Sequence, residues 1–499
     1  MTYNRPRNHH RLDALRQLET LQEYEFASPA PWVSRLRSAW NSVATKWQAR
    51  LMMDQQSTFN RALVDWLERP PGQAGADDLF PRSDRQQTRL AREVKWLSGI
   101  VGRWGDKHPG DRLSIAYFSP LPPSRSGIAD YSAELLPYLA ELADVTVFSD
   151  GPATLELPGI AIRPISEFPQ SHADYALPLY QMGNSDQHEA LYAMLLRYPG
   201  VVVLHDYFLH HFIQHRTVGR GDWAGYSREM GYALGAVGRR MVREVESGAV
   251  EAPLFHLPLN QRVLDSALGL IVHSRFAAER ARQYRPDLPL AIVPAVVEMR
   301  ASRSLRERLE LPEKAVLFGS FGQITTEKRI DAALGAFRHL LSRFPEAHFL
   351  LVGDVQPDVD LPALVTRLEL DHAVHHIGYV QDLDEFINWI HTVDVVVNLR
   401  LPTVGETSAV ALRALAAARP LIVYDHGWYS ELPERAAVKV APGDATALHE
   451  AMETLAQSAA LRQSMGKAGY EYARDFCSPS LVAADYIDFV RAVVEPVYG

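Results

Sequence analysis

The chain has 499 residues, 47% of them hydrophobic and 22% charged, with a net charge of −9. That length exceeds the roughly 250–300 residues of a single core and predicts more than one domain; the acidic balance excludes the basic field of a nucleic-acid binder. The single cysteine, Cys477, excludes an internal disulfide and a Cys-rich zinc cluster, and fits a reducing cytoplasm.

Residues 1–110 read as an N-terminal helical extension. Trp32, Leu36, Trp40, Val43, Trp47 and Leu51 recur at helical spacing, with Arg35, Arg37, Lys46 and Arg50 between them. Pro70, Pro71, Gly72 and Gly75 break the pattern, and a second helix is expected at about Arg85–Val101. Trp with basic residues suits a helix lying on a membrane surface; the same stripe suits packing within the chain or in a dimer. No run of about 18 apolar residues is present to span a membrane. The basic N-terminus has no apolar core after it, so a signal peptide is not expected. The expected location is cytoplasmic, and on the membrane reading this helix is a peripheral contact at the inner face of the membrane.

From Leu113 the pattern changes to short β-branched runs separated by helical segments. LSIAYFSP, VTVFSD, YALPLYQ, GVVVLHD and GLIVHS form one series. A second starts near Ala291 with AIVPAVVE and continues through AVLFGSFG, HFLLVGDV, VHHIGYV, DVVVNLR, PLIVYDH and AVKVAP. This alternation predicts an α/β protein with two doubly wound parallel-sheet domains, 111–295 and 296–470, facing a cleft. The helical tail, 471–499, is expected to pack back on the first of them.

In such sheets ligands bind beyond the carboxyl ends of the strands, and the chemistry-bearing motifs fall there. Val316–Ile330 and Asn398–Val423 each run from an apolar strand through a loop into a helix. Free N–H groups at a helix start attract an anion, and Lys328 adds a charge suited to phosphate. Two such loops predict a diphosphate ligand, a nucleotide-sugar. Gln323 can hydrogen-bond a phosphate, and Arg329 stands beside Lys328. Thr407 or Ser408 suits an N-cap, with Gly405 and Glu406 just before. Gly127 opens a helix expected at Ile128–Leu139, and Arg125 adds charge near it. His205 and Asp206 end the strand VVVLHD. Asn184, Ser185 and His188 follow another strand as acceptor-side or sugar contacts. A zinc reading of His205, Asp206 and His210 lacks a further matched ligand, so no metal is expected.

The pieces GQITTEKRI, PTVGETSAVALRALAAARP and VYDHGWYSELP resemble the retaining glycosyltransferases of family 4, which have the two-Rossmann GT-B fold. SPLPPSRSGIADYSAELL looks like that family's first glycine loop, LHDYFLHHF its cleft histidine segment, and IVHSRFAAERAR the strand before the crossover. The resemblance covers roughly residues 113–490. It implies transfer of a sugar from a UDP- or GDP-linked donor to a glycan or lipid-linked acceptor, with retention and without a cofactor, in glycan or polysaccharide biosynthesis. It implies a catalytic set of His205, Lys328 and Glu406. Glu406 would bind donor hydroxyls, and the backbone of Gly378, Tyr379 and Val380 would meet the nucleobase. The leaving phosphate would take the acceptor proton.

The chain departs from the family at three places. Gln323 stands where the family carries an arginine, and Gly405 and Arg413 stand where it carries two glutamates. These changes keep two rival readings open: a catalytically degenerate scaffold or regulatory subunit, and a sugar-nucleotide epimerase. A nicotinamide oxidoreductase is disfavoured, because no Gly-x-Gly-x-x-Gly follows the first strand.

Overall fold

The computed structural model describes residues 112–151, 157–312 and 314–494. The chain divides into a unit of Met1–Lys95 and a unit of Trp96–Gly499, and the described residues lie in the second. The expected N-terminal extension, with both its helices, lies outside the described residues.

The first sheet contains β1 (Ser114–Phe118), β2 (Asp144–Phe148), β3 (Ala161–Arg163), β4 (Leu177–Met182), β5 (Gly200–Leu204), β6 (Ala267–Val272) and β7 (Leu290–Ile292). Its spatial order is β3-β2-β1-β4-β5-β6-β7. The second contains β8 (Leu317–Phe321), β9 (His348–Val352), β10 (Val374–Ile377), β11 (Val395–Val397), β12 (Leu421–Tyr424) and β13 (Ala437–Val440), in the order β10-β9-β8-β11-β12-β13. Every pairing is parallel.

Parallel sheets covered on both faces need strands that are apolar throughout, and the period of two sends alternate side chains to opposite layers. In β1, Ile115 and Tyr117 enter one core while Ala116 and Phe118 enter another. In β12, Leu421 and Val423 face one way and Ile422 and Tyr424 the other.

Two details differ from the sequence reading. AIVPAVVE, read as the start of the second series, supplies β7, which pairs with β6 at the edge of the first sheet. β3 lies at the opposite edge and is partly exposed, so it leaves no apolar run to find.

Seven helices matter for the site: α1 (Gly127–Leu142), α2 (His210–Arg216), α3 (Arg275–Tyr284), α4 (Ile330–Leu340), α5 (Ala409–Ala416), α6 (Ala459–Phe476) and α7 (Pro479–Val494). Helix α7 returns to the first sheet. The Tyr486 hydroxyl hydrogen-bonds that of Tyr131 on α1, and Gly269 of β6 lets Phe489 and Val493 approach the strand. The order of each sheet reverses between β1 and β4 and between β8 and β11. Such switch points open crevices at the strand ends.

Candidate active site in the interdomain cleft

A cleft of about 420 Å³ lies where these strand ends meet. Its walls carry Arg125, Gly127, Asn184, His188, His205 and Asp206 from the first domain, and Lys328, Glu406, Thr407 and Ser408 from the second. Gln323, Arg329, Gly378, Tyr379, Val380 and Gly405 are not among its lining residues.

The second-domain wall begins at β8. Gly322 follows it with φ +79°, and a Cβ there would stand 2.7 Å from the Lys328 Nζ. Lys328 Nζ donates to the Phe321 carbonyl. Burial first, and the nearby Arg400 second, lower its pKa to about 7. A partly buried amine turned to a carbonyl gains charge when an anion comes beside it. Arg329, in the left-handed region at φ 51°, turns its guanidinium to Asp331 at 2.9 Å. Gln323 is exposed. These two neighbours, expected beside Lys328 at the donor, do not line the cleft with it.

Arg400 follows β11 and lines the same wall. Burial alone would lower its pKa, but Glu406, Tyr429, Glu327 and Asp206 outweigh that and hold it above its ordinary value. Its Nε lies 2.9 Å from Glu406 Oε1. Glu406 Oε2 accepts from Thr403 Oγ1 at 2.7 Å and from the Val404 amide at 2.8 Å. The expected sugar-binding carboxylate is thus engaged by its own loop and by Arg400. Gly405, at φ +76°, donates its amide to Thr403 Oγ1. A Cβ on it would meet the Tyr207 Cβ at 2.7 Å, so a glycine here lets the loop approach the first domain. Ser408 caps α5 by accepting from the Ala411 amide at 3.2 Å, and Thr407 lies beside it facing the cleft.

In the first domain Ser126 caps α1, which brings Gly127 to the cleft. Arg125 reaches across the mouth, its guanidinium 4.2 Å from the ring centre of Tyr379 and 3.9 Å from Asp354. The expected base-contacting segment 378–380 therefore lies at the mouth, partly covered by Arg125. Gly183, after β4, is closely enclosed: a Cβ would stand 2.3 Å from Ile128 Cδ1 and 3.2 Å from Asp206 Oδ2.

Asp206 Oδ2 accepts from the Asn184 amide at 2.8 Å, and burial pushes its carboxyl up to about 6. The Asn184 side chain accepts from the Phe212 amide and meets His211 Nδ1. It thereby fixes the start of α2 while also lining the cleft. His188 is buried, its Nε2 is without a partner, and burial lowers its pKa to about 4. His205 contacts Gln181 and His273. His210 turns into the core, to Tyr226 at 2.7 Å and Leu257 at 3.0 Å. Among the described residues no group of three or more His, Cys, Asp or Glu is placed to hold a metal ion.

At the cleft floor Arg413 of α5 meets Glu134 of α1 at 2.8 Å, with Asp130 at 4.0 Å. The arginine on the second glutamate position thus reaches a carboxylate of the other domain. Sequence reasoning missed Arg400, Gly183, Glu134 and His273. Arg400 alone carried a usable signal, as a cation directly after an apolar strand.

Residues 302–472 match the model of the family described as Glycosyl transferases group 1. No curated protein matches the chain significantly. Among solved structures, HepE from Anabaena in complex with UDP is similar at 15% identity, covering 76% of this chain and 100% of that one, with TM-score 0.55. Sucrose-phosphate synthase from Thermosynechococcus elongatus is similar at 18% identity, over 77% and 99%, with TM-score 0.55. WaaG, a glycosyltransferase involved in lipopolysaccharide biosynthesis, is similar at 14% identity, over 76% and 100%, with TM-score 0.51. The two sheets and their cleft therefore have the GT-B fold, and the second domain with its following helix carries the glycosyl transferase group 1 segment.

Proposed function

We propose that this chain transfers a sugar from a nucleoside diphosphate donor to a hydroxyl acceptor, with the anomeric configuration retained. The observation that carries the reading is the meeting of Lys328 and Arg400 beside the start of α5, all facing the cleft. Two cations and a helix N-terminus at one strand switch point suit a diphosphate. As the glycosidic bond breaks, charge grows on the leaving phosphate, and these groups stabilise it where it forms. The leaving phosphate takes the acceptor proton. Asp206 and His188, on the facing wall, are the acceptor-side groups. The match at 302–472 supports the same class.

We extend the proposal to a UDP- or GDP-linked hexose, a glycan or lipid-linked acceptor, and a role in polysaccharide biosynthesis at the cytoplasmic side of a membrane. Among the described residues no helix is long and apolar enough to cross a membrane. A peripheral contact is assigned to the N-terminal Trp-bearing segment.

A thermal-shift panel with UDP, GDP, dTDP, ADP and their common sugars tests the donor site. A shift with one nucleotide that is lost in Lys328→Ala supports the reading; product from that donor and a hydroxyl acceptor completes it. A second reading, a donor-binding scaffold without turnover, is favoured by Glu406 Oε2, which accepts from its own loop. Binding without turnover across a broad acceptor panel selects it.

A further inference from the structure

His205 lines the cleft, yet neither of its ring nitrogens is free. Nε2 lies 2.8 Å from Gln181 Oε1, and Nδ1 lies 3.2 Å from His273 Nε2. His273 is itself buried, and its Nδ1 lies 2.8 Å from the Val293 carbonyl. Tyr131 closes the cluster, edge-on to His205 at 4.7 Å and 5.5 Å from His273. Its hydroxyl is held by Tyr486.

Hydrogen-bond bookkeeping fixes the protons. The Val293 carbonyl can only accept, so His273 Nδ1 carries a hydrogen. A neutral imidazole has one N–H, so His273 Nε2 must accept. Its partner, His205 Nδ1, must then donate. That leaves His205 Nε2 as a lone pair, which requires a donor from Gln181. An amide's oxygen and nitrogen have the same shape, and its orientation follows from the network. With its oxygen toward His205, Gln181 leaves its own buried Nε2 without a partner. Turning the amide over makes every link consistent: Gln181 donates to His205, His205 to His273, and His273 to Val293.

We infer that Gln181 and His273 are positioning residues that lock His205 as its Nδ1–H tautomer, so that it forms a non-titrating wall of the cleft rather than an acid or base. Burial and the neighbouring His273 and His188 hold His205 well below the ordinary imidazole range, and burial holds His273 at about 4. The titratable groups facing His205 are His273, His188 and Tyr131. None is a carboxylate that would favour an imidazolium. The tautomer assignment stands on this geometry alone; its meaning for sugar transfer rests on the function proposed above.

The test is a long-range proton–nitrogen correlation spectrum of the full chain labelled with nitrogen-15 in histidine, with His205 assigned through the signals lost in His205→Gln. The expected result is a protonated Nδ1 and a bare Nε2, unchanged from pH 8 down to pH 5.5. A protonated Nε2, or an imidazolium in that range, overturns the inference. Gln181→Glu supplies only acceptors and so reverses the chain. We expect the His205 hydrogen to move to Nε2 and one histidine of the pair to begin titrating near neutrality. An unchanged His205 tautomer in that variant removes Gln181 from the role. His273→Gln is expected to let His205 populate both tautomers, and a single retained tautomer removes His273. In transfer assays the wild-type pH profile should lack a limb from His205, and Gln181→Glu should gain one. Absence of transfer with every donor counts against the proposed function and leaves the spectroscopic result standing.

Discussion

Glu134 and Arg413 join the two domains at 2.8 Å, with both side chains almost withdrawn from solvent. Their helices, α1 and α5, both start at the cleft, so the ion pair sits behind the loops that lead into them. Breaking a buried pair leaves an uncompensated charge. Arg413→Ala should therefore cost on the order of 3–5 kcal/mol, read as a lower urea midpoint. Replacing both partners, Glu134→Leu with Arg413→Met, should recover most of that loss. Equal losses in the single and double variants would show that the pair contributes nothing specific.

Nucleotide binding should take up a proton. With a pKa of about 7, Lys328 is mostly neutral at pH 8 in the empty cleft. A diphosphate beside it favours the charged form. Calorimetry in buffers of different ionisation enthalpy should show uptake of up to about one proton per nucleotide at pH 8, absent in Lys328→Ala. That variant should also lose roughly 10²–10³ in kcat, the range for removal of one electrostatic stabiliser. Full turnover in Lys328→Ala would remove the assignment.

Gly405→Ala tests whether that loop serves the domain contact. The new methyl would stand 2.7 Å from the Tyr207 Cβ, on a backbone at φ +76°. The expected cost is about 1–3 kcal/mol, with the midpoint for unfolding lowered accordingly. A neutral result would mean that the loop shifts freely and that the Phe208 amide bond to the Val404 carbonyl does not fix it.

Acid should weaken the fold from about pH 6.5 downward. His188, His210 and His273 each have folded values of about 4 against 6.5 in the open chain. A depressed histidine leaves the unfolded chain binding more protons between those values. Its contribution is fully present above pH 6.5 and is lost as pH falls toward 4. Asp206 acts in the opposite sense. Its value is raised from 3.8 to about 6, so ionising it disfavours the fold as pH rises through that window. Thermal melts should fall from pH 6.5 to 4.5, and more steeply in Asp206→Asn, which should also melt higher than wild type at pH 7.5. A flat profile in wild type would mean that these imidazoles are solvated.

The fold was legible because its strands are buried on both faces. Runs such as GVVVLHD have no other soluble explanation at that length and spacing. Strand-end residues followed from the same logic, and Lys328, His205, Asp206, Glu406 and Ser408 do line one cleft. Partnerships between distant segments were not legible. Glu406 reads as a free acid in sequence because Thr403 and Arg400, which engage it, carry no mark of doing so. Gly405 reads as a ligand glycine, since the clash it avoids lies with Tyr207 in the other domain. Arg413 reads as a loss, because its carboxylate is 279 residues away.

The hydroxyl contact of Tyr131 with Tyr486 closes a separation of 355 residues. At synthesis rates of about 5–20 residues per second, that gap takes roughly 20–70 s to emerge. Throughout that interval the Tyr131 hydroxyl lacks the α7 partner it ends with. The nascent chain therefore carries α1 for that time without α7, the helix it packs against in the finished fold.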